Sequence, residues 1–257
     1  MNDIVFYALL ATLGTWLVTA LGAATVVLFK SPNPKILNLM LGFAAGVMIA
    51  ASFWSLLQPA IERAEAAGSM PAFLVATLGF FCGALFMWGS DKCVTYAQRR
   101  SALAQGEKNA RLNRIILLVL SITLHNIPEG MAVGLAFALA ADGESLAGAF
   151  ALALGIGVQN FPEGAAVALP VYQAGKSKRR AFWTGVLSGA VEPLFGALVV
   201  LAAAGIHALM PWLLSFAAGA MLYVVAEELL PRAGGRRGTC GFLVGFLLMM
   251  ILDVALG

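Results

Sequence analysis

Long apolar runs separated by short polar segments follow one another along the whole chain. Because the hydrocarbon core of a bilayer is about 30 Å thick, a spanning helix needs about 20 apolar residues. Cutting the runs at charged residues and at Pro and Gly clusters predicts an all-α polytopic membrane protein with eight transmembrane helices. The boundary between the sixth and seventh helices rests on His207 and Pro211. The predicted spans are residues 4–29, 36–58, 71–90, 115–140, 146–170, 182–206, 209–230 and 239–256.

The composition agrees with a membrane protein and excludes other classes. Of the 257 residues, 61% are hydrophobic and 11% are charged, whereas soluble domains carry about 25% charged residues. No nucleic-acid partner is expected, because the formal net charge of +3 is not concentrated in a basic domain. The three cysteines show no paired spacing, so we predict neither a disulfide framework nor a thiolate metal site.

The basic residues predict the orientation in the membrane. Fifteen of the sixteen lie in the segments after spans one, three, five and seven, and Arg63 alone lies on the other side. The positive-inside rule makes the basic side cytoplasmic, so both termini are expected outside. The polar segment 91–114 is predicted to be a cytoplasmic loop and is interpreted as a flexible linker too short for a domain. Residues 1–257 therefore form a single membrane domain, and any chemistry lies inside the membrane.

A short polar motif occurs twice, 34 residues apart, in the middle of spans four and five. It reads His125-Asn-Ile-Pro-Glu-Gly130 and Gln159-Asn-Phe-Pro-Glu-Gly164. Positions i, i+3 and i+4 share a helix face, so each copy places its carboxylate beside its amide or imidazole. Two copies on antiparallel helices imply a pseudo-two-fold axis in the membrane plane, which is typical of inverted-repeat transporters with a midplane site.

Glu192 in the sixth span adds a third carboxylate, which is again followed by a proline. Carboxylates with one imidazole and several amide oxygens suit a divalent cation such as Zn²⁺, Fe²⁺, Mn²⁺ or Cd²⁺. A lone carboxyl group in a spanning helix can instead be protonated and simply join helices, and for Glu192 this alternative stays open. Packing explains a duplicated motif poorly. The motif also lacks the HExxH spacing of a metalloprotease.

These motifs, together with other stretches along nearly the whole chain, resemble the ZIP (Zrt/Irt-like protein) metal transporters, and among them the bacterial GufA-type branch. The resemblance implies uptake of Zn²⁺ and related metals into the cytoplasm, a bacterial inner-membrane location, a homodimer, and neither enzyme activity nor an organic cofactor. The stretches that carry it include the two motif copies, Gly189–Pro193, Leu222–Pro231, Gly42–Met48 and Leu252–Gly257.

The resemblance also implies a binuclear centre in which the glutamates bridge two subsites. Gln159 and Asn160 are neutral where many relatives carry His or Asp, so the second subsite is expected to be weaker or less selective. By position, the first subsite would use His125, Glu129, Gln159 and Glu163, and the second Asn126, Glu129, Asn160, Glu163 and Glu192.

In the mechanism implied by the resemblance, a transport bundle of helices one, four, five and six moves against a scaffold of helices two, three, seven and eight. Glycine pairs at four-residue spacing, such as Gly42 with Gly46 and Gly130 with Gly134, allow two interpretations. They provide either tight static packing or smooth faces along which the bundle slides, and the resemblance favours sliding.

Five residues are candidates for the metal path outside the centre. Met48 and Glu62 would lie towards the outside, where Met48 could equally be packing and Glu62 a solvated charge. Asp91, Glu227 and Glu228 would lie at the inner ends of spans three and seven, where Glu228 could equally pair with Arg232. Ala226 stands where some relatives carry a metal-binding residue. For Asp253, a hydrogen bond between helices is the default.

Two other functions remain open. The same residues could line a metal-selective channel, which would differ from a carrier in showing conductance and not slow, saturable flux. Less favoured is an intramembrane metalloenzyme that activates water. That function would need a spare general base and a substrate cleft, and the sequence indicates neither.

Overall fold

The protein is a bundle of long helices. The computed structural model describes residues 2–29, 33–104, 107–203 and 207–256, and these ranges contain helices and turns but no strand. The helices are α1 (Asn2–Leu28), α2 (Pro34–Ala51), α3 (Gln58–Ala67), α4 (Ala72–Ala104), α5 (Glu107–Ala141), α6 (Leu146–Gln173), α7 (Lys178–Gly189), α8 (Val191–Ala203), α9 (Met210–Val224), α10 (Leu230–Arg232) and α11 (Gly235–Leu256). Two π-helical segments, Ser52–Leu57 and Val225–Leu229, join α2 to α3 and α9 to α10.

Polar caps fix where several helices begin. The Asn33 side chain accepts a hydrogen bond of 3.0 Å from the backbone N–H of Lys35, and Pro34 occupies the first turn of α2. Ser145 caps α6 by accepting from the N–H of Gly148 at 3.1 Å. These side chains satisfy N–H groups that have no partner within the helix. The cap at Ser145 ends the short turn 142–145 between α5 and α6, so the predicted antiparallel hairpin of spans four and five is confirmed.

Six stretches of the described chain are helical, long and apolar enough to cross a membrane, which supports an integral membrane protein. They are 3–28, 34–67, 72–97, 178–202, 207–232 and 235–256. The helix α6 is not among them, because the Gln, Asn, Pro and Glu of its motif copy lower its mean hydropathy.

The structure differs from two of the sequence predictions in its helix boundaries. The segment 91–114 is not a flexible linker where it is described, because α4 extends to Ala104 and α5 begins at Glu107; residues 105–106 lie outside the described ranges. The predicted span 182–206 is two helices that meet at Ala190, and its last residues, 204–206, are also not described. Pro193 explains this break, because it cannot donate a hydrogen bond to the carbonyl of Gly189.

The helices associate in four pairs through glycines that bring two backbones into contact. A Cβ atom at any of these glycines would collide with backbone atoms of the partner helix, so only glycine fits. The pairs are α2 with α11, α4 with α9, α1 with α6 and α5 with α8. Their contacts are Gly42 with Gly238, Gly83 with Phe216, Gly164 with Thr19, and Gly130 with Glu192.

These four pairs fall into two sets. We call α1, α5, α6, α7 and α8 the motif group, and α2, α3, α4, α9, α10 and α11 with the two π segments the framework group. Of the described glycines, Gly155 alone has its nearest atoms in the other group, and these belong to the side chains of Met249 and Val47. The interpretation of the glycine pairs as sliding faces is therefore wrong, since the paired glycines hold helices of one group together.

The two ends of the bundle differ in charge. We call the end at which α2, α7 and α11 begin the basic end, because Lys35, Lys178 and Arg237 lie there. At the opposite end, Arg63 of α3 forms a 2.8 Å ion pair with Asp142 in the turn between α5 and α6. His207 lies 3.2 Å from the same carboxylate. The ion pair between Arg63 and Asp142 connects the framework group to the motif group.

Candidate metal centre

The two motif copies face each other inside the motif group. Both helices continue through Pro128 and Pro162, so each motif keeps its helical spacing. The Glu129 side chain lies near the Gln159 and Glu163 side chains. His125, Asn126, Glu129, Gln159 and Asn160 are buried, and Glu163 is partly buried. The structure thus brings together the polar side chains of both copies.

Glu192 lies beside this cluster and is fully buried at the start of α8. One carboxylate oxygen accepts hydrogen bonds from the Thr15 hydroxyl at 2.6 Å and from the Asn160 amide at 2.7 Å. The other oxygen accepts from the Thr19 hydroxyl at 3.3 Å. Three donors from two other helices position this carboxyl group, as expected for a polar side chain away from water.

Several buried atoms of the cluster have no hydrogen-bond partner among the described residues. They are Nε2 of His125, Oδ1 of Asn126, Oε2 of Glu129 and Oε1 of Gln159. Unpaired buried polar atoms are costly and uncommon in folded proteins. Each of these four can donate a lone pair to a cation, and the ligand set of carboxylate, amide and imidazole suits Zn²⁺.

His125 extends from the cluster towards two carboxylates of the framework group. Its Nε2 lies 3.5 Å from Oδ1 of Asp91, and its Nδ1 lies 3.5 Å from Oε1 of Glu228. One ligand atom from each of the three residues lies within 4.8 Å of the other two. Ligands bound tetrahedrally to Zn²⁺ at about 2.0–2.1 Å lie about 3.4 Å apart. The three side chains are therefore close enough to one another to hold one ion after small side-chain movements.

The inner candidates separate into two kinds. Glu228 makes the predicted pairing with Arg232, from which its Oε2 lies 3.5 Å away, while its Oε1 faces His125. Glu227 is exposed and outside this cluster, as is Ala226. The two adjacent glutamates point in different directions from the π segment, so they are not equivalent.

The candidates towards the opposite end also separate. Met48 is fully buried in the hydrophobic core of α2, where it packs among apolar side chains. Glu62 lines a cavity of about 370 Å³ together with Glu144 and Asp253. Asp253 is 9% exposed, and its Oδ1 accepts a 2.5 Å hydrogen bond from Ser55. The predicted hydrogen bond between helices is thus present, while Oδ2 is buried without a partner among the described residues.

Three polar residues of the centre were missed by the sequence interpretation as parts of the site. Thr15 and Thr19 hold Glu192, and the backbone carbonyl of Ser188 accepts a 3.1 Å hydrogen bond from the Asn126 amide. A signal for the threonines is present in the sequence, since Thr12, Thr15 and Thr19 follow helical spacing on one face of an otherwise apolar helix. No comparable pattern marks a backbone carbonyl.

The chain is similar to known zinc transporters over nearly its whole length. The family model described as ZIP zinc transporter matches residues 101–253. Zinc transporter ZIP11 of Homo sapiens is 38% identical, with 98% of each chain aligned. Zinc transporter ZupT of Chlorobium phaeovibrioides is 43% identical over 91% of this chain and 90% of the relative. Zinc transporter GufA of Myxococcus xanthus is 37% identical over 97% and 98%, respectively.

Proposed function

The chain belongs to the ZIP zinc transporter family, and from this premise we propose that it carries Zn²⁺ from outside the cell into the cytoplasm by alternating access. Members of this family are named as transporters and not as enzymes. The proposal includes eight transmembrane helices in the bacterial inner membrane, with both termini outside and the basic end in the cytoplasm. Cd²⁺, Fe²⁺ and Mn²⁺ are the other expected substrates, and the homodimer implied by the resemblance is part of the proposal.

The observation that carries the proposal is the set of unpaired buried ligand atoms in the two motif copies. A site built only for packing would satisfy these atoms within the protein. We assign the first metal to His125, Glu129, Gln159 and Glu163, and the second to Asn126, Glu129, Asn160, Glu163 and Glu192. Because Glu192 and Asn160 already bond to each other, a second metal must compete with that hydrogen bond. This competition supports a weaker second subsite.

The metal path continues on both sides of the centre. Towards the outside, the cavity lined by Glu62, Glu144 and Asp253 offers carboxylates to an arriving cation. Towards the cytoplasm, His125 connects the centre to Asp91 and Glu228. Since His125 belongs to the motif group and the two carboxylates to the framework group, a metal can pass from one group to the other by exchange of ligands at His125.

The division into two helix groups supports a moving bundle. Helices within each group interlock through backbone contacts that cannot slide without separating the helices. Where Gly155 meets the other group, it contacts side chains of Met249 and Val47. Side chains can change rotamer as helices shift, and Met is especially adaptable. We therefore assign transport to motion of the motif group along the framework group.

Zinc uptake into proteoliposomes tests the proposed direction and mechanism together. For a carrier, we expect saturable uptake that Cd²⁺ inhibits and that zinc loaded inside the vesicles accelerates by exchange. Protonation competes with metal for its ligands, so a lower internal pH should speed release. Flux that rises linearly with zinc concentration and is accompanied by measurable conductance would instead establish a channel.

The adjacent pair Glu228 and Glu227 provides a matched test of the inner path. Glu228→Gln is expected to slow zinc uptake by about 10–100-fold, the usual effect of losing a group that supports a metal site, because the cluster with His125 and Asp91 loses a charged ligand. Glu227→Gln makes the same change in an exposed side chain and should leave initial rates within about twofold. Equal rates for the two variants would remove Glu228 from the path.

A further inference from the structure

An apolar groove lies where the motif group meets the framework group, in the half of the bundle nearer the basic end. It has a volume of about 480 Å³ and is lined by Val18, Leu39, Phe43, Val158, Phe161 and Val244 among other apolar residues. Leu39 and Val158 are each 42% exposed and Val244 is 58% exposed. The groove therefore opens sideways, towards the hydrocarbon of the membrane.

The depth of the groove matches one leaflet of a bilayer. Leu39 and Gly241 line it five or six residues after the starts of α2 and α11, which is about 8–9 Å along the helix axis. At its far end, Val158 and Phe161 lie next to and within the second motif copy, at mid-membrane depth. Half of the hydrocarbon core is about 15 Å, so an acyl chain of the leaflet at the basic end can follow the groove.

Positive charge surrounds the shallow end of the groove. Lys35 and the pair Arg236 and Arg237 lie in the first turns of α2 and α11, neither of which has an acidic residue in its first turn. The two helix starts lie side by side, since the Asn38 amide donates to the Gly234 carbonyl at 2.9 Å. Among the described residues, none of the three cations has an ion-pair partner.

These charges are placed where a helix least favours them. The starts of two parallel helices carry partial positive charge, so cations in their first turns repel the helix dipoles and one another. An anion between them relieves this repulsion. Lys35 and Arg237 each lie one helical turn from a residue lining the groove, Leu39 and Gly241 respectively. A headgroup phosphate at the basic end and an acyl chain in the groove can thus belong to one molecule.

We propose that this groove binds one anionic phospholipid, whose phosphate contacts Lys35, Arg236 and Arg237 and whose acyl chain lies against Val158, Phe161 and Val244. The groove is formed by α1 and α6 of one group and α2 and α11 of the other. The bound lipid fills the gap between the two groups at the level of the metal centre. The proposal depends on membrane embedding and not on the direction or mechanism of transport.

Native mass spectrometry of the full-length protein tests the proposal with two lipids that share their acyl chains, phosphatidylglycerol and phosphatidylcholine. We expect one phosphatidylglycerol to remain bound with an apparent affinity about 100-fold higher than that of phosphatidylcholine. Each of the three basic residues adds electrostatic attraction to an anionic headgroup, and these contributions multiply in the affinity. Millimolar inorganic phosphate should not displace it, because free phosphate has no chain to occupy the groove. Equal retention of the two lipids would overturn the assignment of the headgroup.

Two variants and one control test the contacts of the lipid headgroup and of the acyl chain separately. Replacing Lys35, Arg236 and Arg237 together by Gln should abolish the preference for phosphatidylglycerol. Replacing Arg99, Arg100 and Arg179 by Gln removes the same charge from other exposed positions and should preserve the preference. Val244→Trp fills the groove and should reduce retention of both lipids, while thermal unfolding verifies that each variant is folded. If the control triple variant loses the preference equally, or if Val244→Trp binds lipid normally, the site does not exist.

Discussion

Replacing Glu129 by alanine is expected to reduce zinc uptake at least about 100-fold, because loss of groups that merely support a metal site already costs about 10–100-fold. Glu129 is 1% exposed, and its Oε2 has no partner among the described residues. Its side chain lies near those of Gln159 and Glu163, and with Glu163 it is one of the two carboxylates that both proposed subsites share. Removing it takes a charged ligand from each metal at once.

Uptake into proteoliposomes and equilibrium zinc binding measure this loss. Glu129→Ala should lower the number of zinc ions bound per chain as well as the transport rate. The matched control is Glu65→Ala, which removes an exposed carboxylate of α3 that does not line the cavity at the opposite end. A Glu129→Ala protein that binds and transports zinc within twofold of the control would disprove the proposed centre.

A second large effect is expected on folding. Gly83→Leu should destabilise the protein by at least about 3 kcal/mol, the upper range for overpacking a core. A Cβ atom at Gly83 would collide with the carbonyl oxygen of Phe216 and lie 2.9 Å from the backbone N of Ala220. Backbone atoms cannot change rotamer to relieve such a clash, so α4 and α9 must separate along their length.

Gly89 provides the control within the same helix. A Cβ atom there meets no heavy atom within 4 Å, so Gly89→Leu should change stability by no more than about 0.5 kcal/mol, as is usual away from packed positions. Thermal unfolding in detergent and the yield of folded protein compare the two. Similar unfolding temperatures for both variants would show that the pairing of α4 with α9 does not depend on backbone contact.

Much of this architecture could be predicted from local patterns. The apolar runs located the helices, since length and hydropathy are properties of each segment alone. The duplicated motif identified the side chains that meet at the centre, because helical spacing determines which residues share a face. Helical spacing alone predicts that His125 and Glu129 are neighbours, because they are four residues apart on one helix.

Other features depend on how distant segments meet. The approach of His125 to Asp91 and Glu228 joins three different elements, and nothing in the sequence around any one of them indicates the others. The π segment Val225–Leu229 carries both glutamates, and only Glu228 faces His125. Such segments occur often at functional sites, but no residue type specifies them. The extension of α4 to Ala104 likewise could not be seen, because polar helices and polar linkers have similar compositions.

The pairing of α2 with α11 has a consequence for biosynthesis. Gly46 packs against Phe242 and Phe246, about 200 residues later in the chain. At about 5–20 residues per second, synthesis of that interval takes roughly 10–40 s. During this time the glycine face of α2 is inserted without the helix that covers it. The framework group therefore cannot complete its packing until α11 reaches the membrane. The order in which the helices assemble thus differs from the order in which the ribosome makes them.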